Sequence, residues 1–156
     1  MENNSVMKMW QEYQERVGEV RNEYDAWAFG DSKEMADELA NLVLAGVKTA
    51  TSSLYLLYEL EDEALPYVGL HNIILNGKGE AVAIIETTSV QIIPYDEVTE
   101  EHAYLEGEGD RSLAYWQKVH EDFFKKELRG INRDFAANML VVCERFKLVY
   151  RNEKVC

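Results

Sequence analysis

The tetrapeptide Asn76-Gly77-Lys78-Gly79 separates two apolar runs, "LHNIIL" and "EAVAIIETTSVQIIPY", and this pattern constrains the fold more than any other in the chain. Asn-Gly between β-prone runs predicts a tight two-residue turn, and so an antiparallel hairpin at the centre of the sequence. The second arm is the longer one, and Thr87 to Ser89 mark a bend or bulge within it.

Around the hairpin the period changes. Val6, Met9, Trp10, Tyr13, Val17 and Val20 recur at helical spacing, which predicts an amphipathic helix over residues 6–24. "WAFGDSKEMADELANLVLAGVK" reads as a second helix. Asp31 or Ser32 caps it, Glu34 lies in its first turn, Met35, Leu39, Leu42 and Val43 form its stripe, and Gly46 stops it. "TATSSLYLLYEL" is β-branched and aromatic enough for a strand, with its second half open to a helical reading. A short helix and an acidic, glycine-rich loop follow in "DEVTEEHAYLEGEGD". A long helix then covers "RSLAYWQKVHEDFFKKELRG", with Leu113, Trp116, Val119 and Phe123 inward, and "NMLVVCERFKLVY" is a final strand. This order offers few crossovers for a doubly wound parallel sheet. It predicts a mixed or antiparallel α+β domain in which the last strand pairs with the hairpin and curls the sheet into a small barrel.

A chain of 156 residues, 47% of them apolar, is enough for one compact domain with a real core. No apolar run approaches bilayer length, and "MENNSVMKMWQEY" lacks the basic and apolar regions of a secretory signal, so a cytoplasmic protein with no membrane partner is expected. Cys143 lies in an apolar run and Cys156 is terminal; two reduced thiols are expected rather than a disulfide or a zinc site. Sixteen basic residues against 29 acidic ones give a net charge of −13, which argues against duplex DNA as a partner. It leaves room for one nucleotide, or a short single strand, at a local basic patch.

Three clusters carry candidate chemistry. In "AGVKTATSSL", Lys48 sits beside Thr49, Thr51, Ser52 and Ser53 just past a helix end. A hydroxyl becomes a nucleophile when a base takes its proton, and lysine can be that base when burial disfavours its charge. Equally, a lysine there complements the helix dipole and threonines suit a strand. In "YLEGEGDRS", Glu106, Glu108 and Asp110 crowd together between glycines, so a cation or basic partner is expected. The alternative is that Asp110 caps the next helix near Ser112 and Glu108 faces water. Calcium-loop spacing is not matched, and neither a metal nor another cofactor is expected. In "FFKKELRGINRDF", Lys125, Lys126, Arg129 and Arg133 stand beside Phe124 and Phe135, a composition suited to phosphate contact and base stacking, or to an ordinary solvated helix end. His71, His102 and His120 show no ligand spacing, and His120 reads as a packing or surface residue.

Taken together, "LVLAGVKTAT", "AYLEGEGDRSLAYWQKVHEDFF" and "MLVVCERFKLVY" resemble the ASCH-domain family of the PUA-like superfamily, in a longer bacterial form with an E-G-E-G-D loop. The G-x-K-x-x-T signature falls on Gly46, Lys48 and Thr51. The resemblance implies a PUA-like domain over residues 27–150, an N-terminal helical extension over 1–26, and a tail at 151–156. It implies a cleft for a modified nucleoside or short single-stranded RNA, lined by Gly46, Thr49, Ser52, Glu108, Asp110, Arg111, Lys125, Arg129 and Arg133. A smaller relative removes the acetyl group from N4-acetylcytidine. By resemblance to it, Lys48 would be the base, Thr51 the nucleophile and Glu106 a proton shuttle. Other members bind RNA or cleave it, so a non-catalytic RNA-binding module and a ribonuclease using the acidic loop stay open, as does a homodimer.

Overall fold

The computed structural model describes residues 4–18 and 23–151. Val20 of the first helical stripe, and Cys156 with the rest of the tail at 152–156, lie outside the described residues.

The hairpin forms as β3 (His71–Leu75) and β4 (Ala81–Pro94), paired antiparallel. Its turn is wider than the two residues expected. The Asn76 side chain accepts from the amides of Lys78 and Glu80, and Gly79, not Gly77, takes the positive φ of +78°. Gly77 is needed for a different reason: a Cβ there would come within 2.4 Å of the Lys33 carbonyl. The ladder slips between Thr87 and Ser89, which is the bulge the sequence predicts.

The last strand, β5 (Leu140–Arg151), pairs antiparallel with β4 on one side and with β2 (Ala50–Leu54) on the other. The five-stranded order is β1-β3-β4-β5-β2, and the sheet curls into a half-barrel of the PUA-like type. Its two edges are β2 and β1 (Asp25–Ala28). Strand β1 is a departure from the sequence reading, which left Trp27 ahead of the second helix's cap with no strand assigned and ran the first helix to residue 24. Helix α1 (Asn4–Val17) ends at Gly18, whose φ is +71°, and "DAWA" pairs in parallel with β3. Four residues are too few to display a period.

Alternation along β3 and β4 places helices on both faces of the sheet. Ile73 and Ile84 pack under α1 with Val6, Met9, Trp10 and Tyr13. Their neighbours Ile74, Ala83 and Ile85 pack under α2 (Lys33–Leu44) with Leu39, Ala40 and Val43. Ser32 caps α2 by accepting from the Met35 amide. Beyond the bulge, α4 (Glu100–Glu106) and α5 (Leu113–Arg129) cover Leu54, Val141 and Cys143, with the short α3 (Tyr55–Leu60) alongside. On α5 the buried stripe is Trp116, His120, Phe124 and Leu128; Leu113, Val119 and Phe123 are half-buried. The expected inward face is therefore rotated, and the polar His120 has taken a core position. No helix among the described residues is long and apolar enough to cross a membrane.

Candidate functional site

Gly46, with φ +77°, ends α2, and the amides of Val47 and Lys48 turn back to the Leu42 carbonyl. The next residue is clamped: Thr49 donates its amide to Leu105 O at 2.8 Å, and its carbonyl accepts from the Phe146 amide at 3.0 Å. Helix α4, capped by Thr99, arrives from the other side and stops at Gly107. Only a glycine fits there, because φ is +77° and a Cβ would lie 2.8 Å from the Val47 carbonyl. The two segments meet through that contact, and it brings Lys48 to Glu106.

Lys48 is 1% exposed, yet its ammonium is surrounded by acceptors: Ala50 O at 2.9 Å, Glu106 Oε1 at 3.2 Å, and Glu106 O and Glu108 Oε2 at 3.4 Å. Partners that only accept are the pattern of a charged lysine. Glu106 is 2% exposed and is the hub of the site. Its Oε2 accepts from Trp116 Nε1 at 2.6 Å and from the Ser52 hydroxyl, and lies 3.1 Å from His102 Nε2. Its Oε1 faces Lys48 and, at 3.5 Å, His120 Nε2. Burial alone would push this carboxyl up. The charges of Lys48 and His120, with hydrogen bonds from His102 and His120, outweigh it and hold Glu106 well below the usual range.

His120 Nδ1 lies 2.9 Å from the Trp116 carbonyl, so that nitrogen carries the hydrogen, and the ring stacks on Trp116 at 4.3 Å. Burial lowers its pKa, but the Glu106 charge and hydrogen bond more than reverse this, so the ring gains a proton more readily than a free histidine. Ser52, His102 and Glu106 form a closed triangle, with Ser52 Oγ 2.7 Å from His102 Nε2. This is not a nucleophile–base–acid relay, because serine and carboxylate meet the same ring nitrogen. Cys143, next to Ser52 across the ladder, is inert: burial pushes its thiol up to about 12.

The hub closes one end of a cavity of about 340 Å³ whose walls are Phe29, Met35, Leu39, Val119 and Phe123. Lys48, Thr51, Ser52, Glu106, Glu108 and His120 line its polar side, with Lys126 and Asp31 also on its lining. Successive strand residues point to opposite faces, so Ser52 reaches Glu106 while Thr51 stands across the ladder from Glu144. Glu106, Glu108 and His120 offer ligand atoms within 4.8 Å of one another, the group among the described residues most suited to a metal. The Lys48 ammonium already lies between the two carboxylates and supplies the positive charge.

The other predicted residues sit elsewhere. Asp110 accepts from the Ser112 amide at 2.9 Å; the Ser112 hydroxyl, and then that amide, lower its pKa, and Ser112 caps α5. Arg111 donates to Tyr104 O at 2.9 Å and covers the Tyr104 ring at 3.6 Å, pinning the loop. Thr49 contributes backbone, as above. Lys125 pairs with Glu121 at 2.5 Å; Arg129 and Arg133 are exposed; none of the three lines the cavity. Sequence reasoning missed His102, Trp116 and His120. The signal was present: His102 and Glu106 are four residues apart on α4, as Trp116 and His120 are on α5.

A family model described as ASCH domain matches residues 25–150. Protein EF3133 from Enterococcus faecalis V583, described under the family model DUF984, is 40% identical with a TM-score of 0.88, over 93% of this chain and 88% of that one. An ASCH domain from Lactobacillus crispatus JV V101 is 35% identical with a TM-score of 0.90, over 96% of both chains. The hypothetical protein PH0355, at 18% identity and a TM-score of 0.54 over 81% of this chain and 99% of that one, shares the fold. No curated protein matches the chain.

Proposed function

The chain belongs to the ASCH domain family, and from that premise we propose that its cavity binds a nucleoside and hydrolyses an acyl group from the exocyclic amine of a cytidine-type base. The observation that carries this reading is the composition of the cavity. One wall is apolar and aromatic, as a flat heterocycle requires, and one side concentrates Lys48, Thr51, Glu108 and His120. A volume of about 340 Å³ suits a single nucleoside.

On this reading Thr51 Oγ adds to the acyl carbonyl, the C–N bond to the base breaks, and the amine leaves with a proton. Water then cleaves the threonyl ester and releases the carboxylic acid. Lys48 is held as an ammonium, so it serves as base by first passing a proton to a neighbouring carboxylate. Glu108 suits that task better than Glu106. Its side chain is 16% exposed and lines the cavity, whereas Glu106 is saturated with donors and resists protonation. Glu106 thus acts as the anchor that positions Lys48, Ser52 and His120, and Glu108 carries the proton.

The test is N4-acetylcytidine hydrolysis followed by chromatography with EDTA present, for wild type, Thr51→Val, Lys48→Met and Glu108→Gln. Cytidine release by wild type, lost in folded Thr51→Val and Lys48→Met, supports the proposal. No release by wild type overturns the hydrolase reading. Lys126 on the cavity lining, with Lys125 and Arg129 near it on α5, favours short single-stranded RNA as the second reading. RNA binding that weakens with salt, without cytidine release, would select it.

A further inference from the structure

The half-barrel is open between its edges, and a second chamber of about 700 Å³ lies there, lined by residues of both β1 and β2. It shares Phe29, Gly30, Thr51, Ser52 and Phe123 with the first cavity, so the two adjoin. Their electrostatics differ sharply. Among the described residues, the second chamber is lined by Asp25, Glu63, Glu127 and Glu144 and by no lysine, arginine or histidine.

Glu144 is the informative member. It is only 8% exposed, and its one hydrogen bond among the described residues is a long one, accepted by Oε1 from Thr87 at 3.4 Å. A buried carboxylate with one weak donor and no cation is costly to keep ionised, and among the described residues neither an arginine nor a lysine pairs with it. Trp27, Phe29 and Tyr58 stand in the same walls, and Trp27 is fixed by a 2.8 Å bond from Nε1 to Asn72. Carboxylate plus aromatic surface is the chemistry that recognises an ammonium group, and it repels phosphate.

We propose that this second chamber is a subsite for a primary ammonium group, held by Glu144 with Glu127 and enclosed by Trp27, Phe29 and Tyr58. The ammonium is carried either by the ligand in the first cavity or by a separate small amine. The first source deepens the nucleoside reading and rests on it; the second does not. Burial pushes Glu144 up to about 7, and burial followed by the charges of Glu61 and Asp31 does the same to Glu127. An incoming ammonium would hold both ionised.

The experiment is calorimetric titration with putrescine at about pH 8, where the amines and both carboxylates are charged. The expected result is saturable binding by wild type, weakened roughly tenfold or more in Glu144→Gln and also reduced in Glu127→Gln, with both variants folded. Glu127 is only half-buried, so its variant reports even if Glu144→Gln fails to fold. No saturable binding by wild type, or equal affinity in wild type and the folded variants, overturns the proposal. Repeating the titration with cytidine saturating separates the sources: retained binding marks a separate amine, and competition marks one ligand spanning both chambers. N4-acetylcytidine turnover by the same wild-type protein keeps the two proposals distinguishable. Turnover without putrescine binding removes the subsite alone, and putrescine binding without turnover removes the hydrolase alone.

Discussion

The Lys48 ammonium stands 3.2 Å from Glu106 Oε1, with both side chains sealed from solvent, although 58 residues separate them in the chain. Removing the acid leaves the Lys48 ammonium without its buried counter-charge and takes from His120 its carboxylate partner. Glu106→Ala is therefore expected to lose about 3–5 kcal/mol of stability, measured by urea denaturation. Glu106→Gln keeps the shape and one acceptor oxygen and should lose less. Equal stability of Glu106→Ala and wild type would contradict the hub.

Gly107 admits no side chain, because its φ is +77° and a Cβ would press on the Val47 carbonyl at 2.8 Å. Gly107→Ala is expected to cost about 1–3 kcal/mol and to displace the acidic loop from Lys48. Thermal unfolding checks the first effect, and loss of N4-acetylcytidine binding checks the second. A stable variant with unchanged binding would show that the approach of the two segments is not needed.

Thr51 and Ser52 are adjacent but do different work. Thr51→Val should lower N4-acetylcytidine turnover by roughly 100-fold or more while the protein keeps its stability. Ser52→Ala should instead cost about 1–2 kcal/mol, because the Glu106 carboxylate and His102 lose a shared partner. Reversed outcomes would make Ser52 the nucleophile candidate.

Stability should fall as the solution is taken from about pH 6 to about pH 8. Glu144 and Glu127 have folded-state pKa values raised to about 7, so the folded protein binds more protons than the unfolded chain over the interval between the ordinary carboxyl value and 7. His120 is also raised, so its contribution is full below the unfolded value and is lost as pH rises through the folded one. All three act in the same direction. Glu144→Gln is expected to stabilise the protein at about pH 8 by on the order of 1–3 kcal/mol and to flatten the pH profile; denaturant midpoints at both pH values measure it. A midpoint unchanged by pH would contradict the burial of these groups.

The legible parts of this sequence were those with a long period or strong punctuation. The stripe of α2 with Ser32 before it and Gly46 after it, the two apolar arms of the hairpin, and the slip at Thr87 to Ser89 are all local signals, and the structure contains them. Strand β1 was illegible because its four residues hold their conformation through a parallel partner some 47 positions away, Asp25 against Asn72. The meeting of Lys48 with Glu106 could be anticipated only by resemblance to a family, not from spacing. His120 read as a packing or surface residue, because a polar residue on an apolar stripe looks like packing until its partner is known, and His102 showed no ligand spacing. What Glu106 needs, His102, Trp116 and His120 provide, and three-dimensional proximity decides that.

The clamp on Thr49 has a consequence for how the protein comes into being. Its amide is taken by Leu105 and its carbonyl by Phe146, so the segment bearing Lys48 is fixed only when α4 and the last strand are both in place. During synthesis the first half of the chain can form helices and the hairpin early, but β2 has no ladder partner until β5 has emerged. A nascent chain cut short before residue 140 would carry every polar group of the Lys48 motif and lack the strand that holds β2 in register. Competence at the cavity thus becomes a late event, conferred by the last strand upon a segment made long before it.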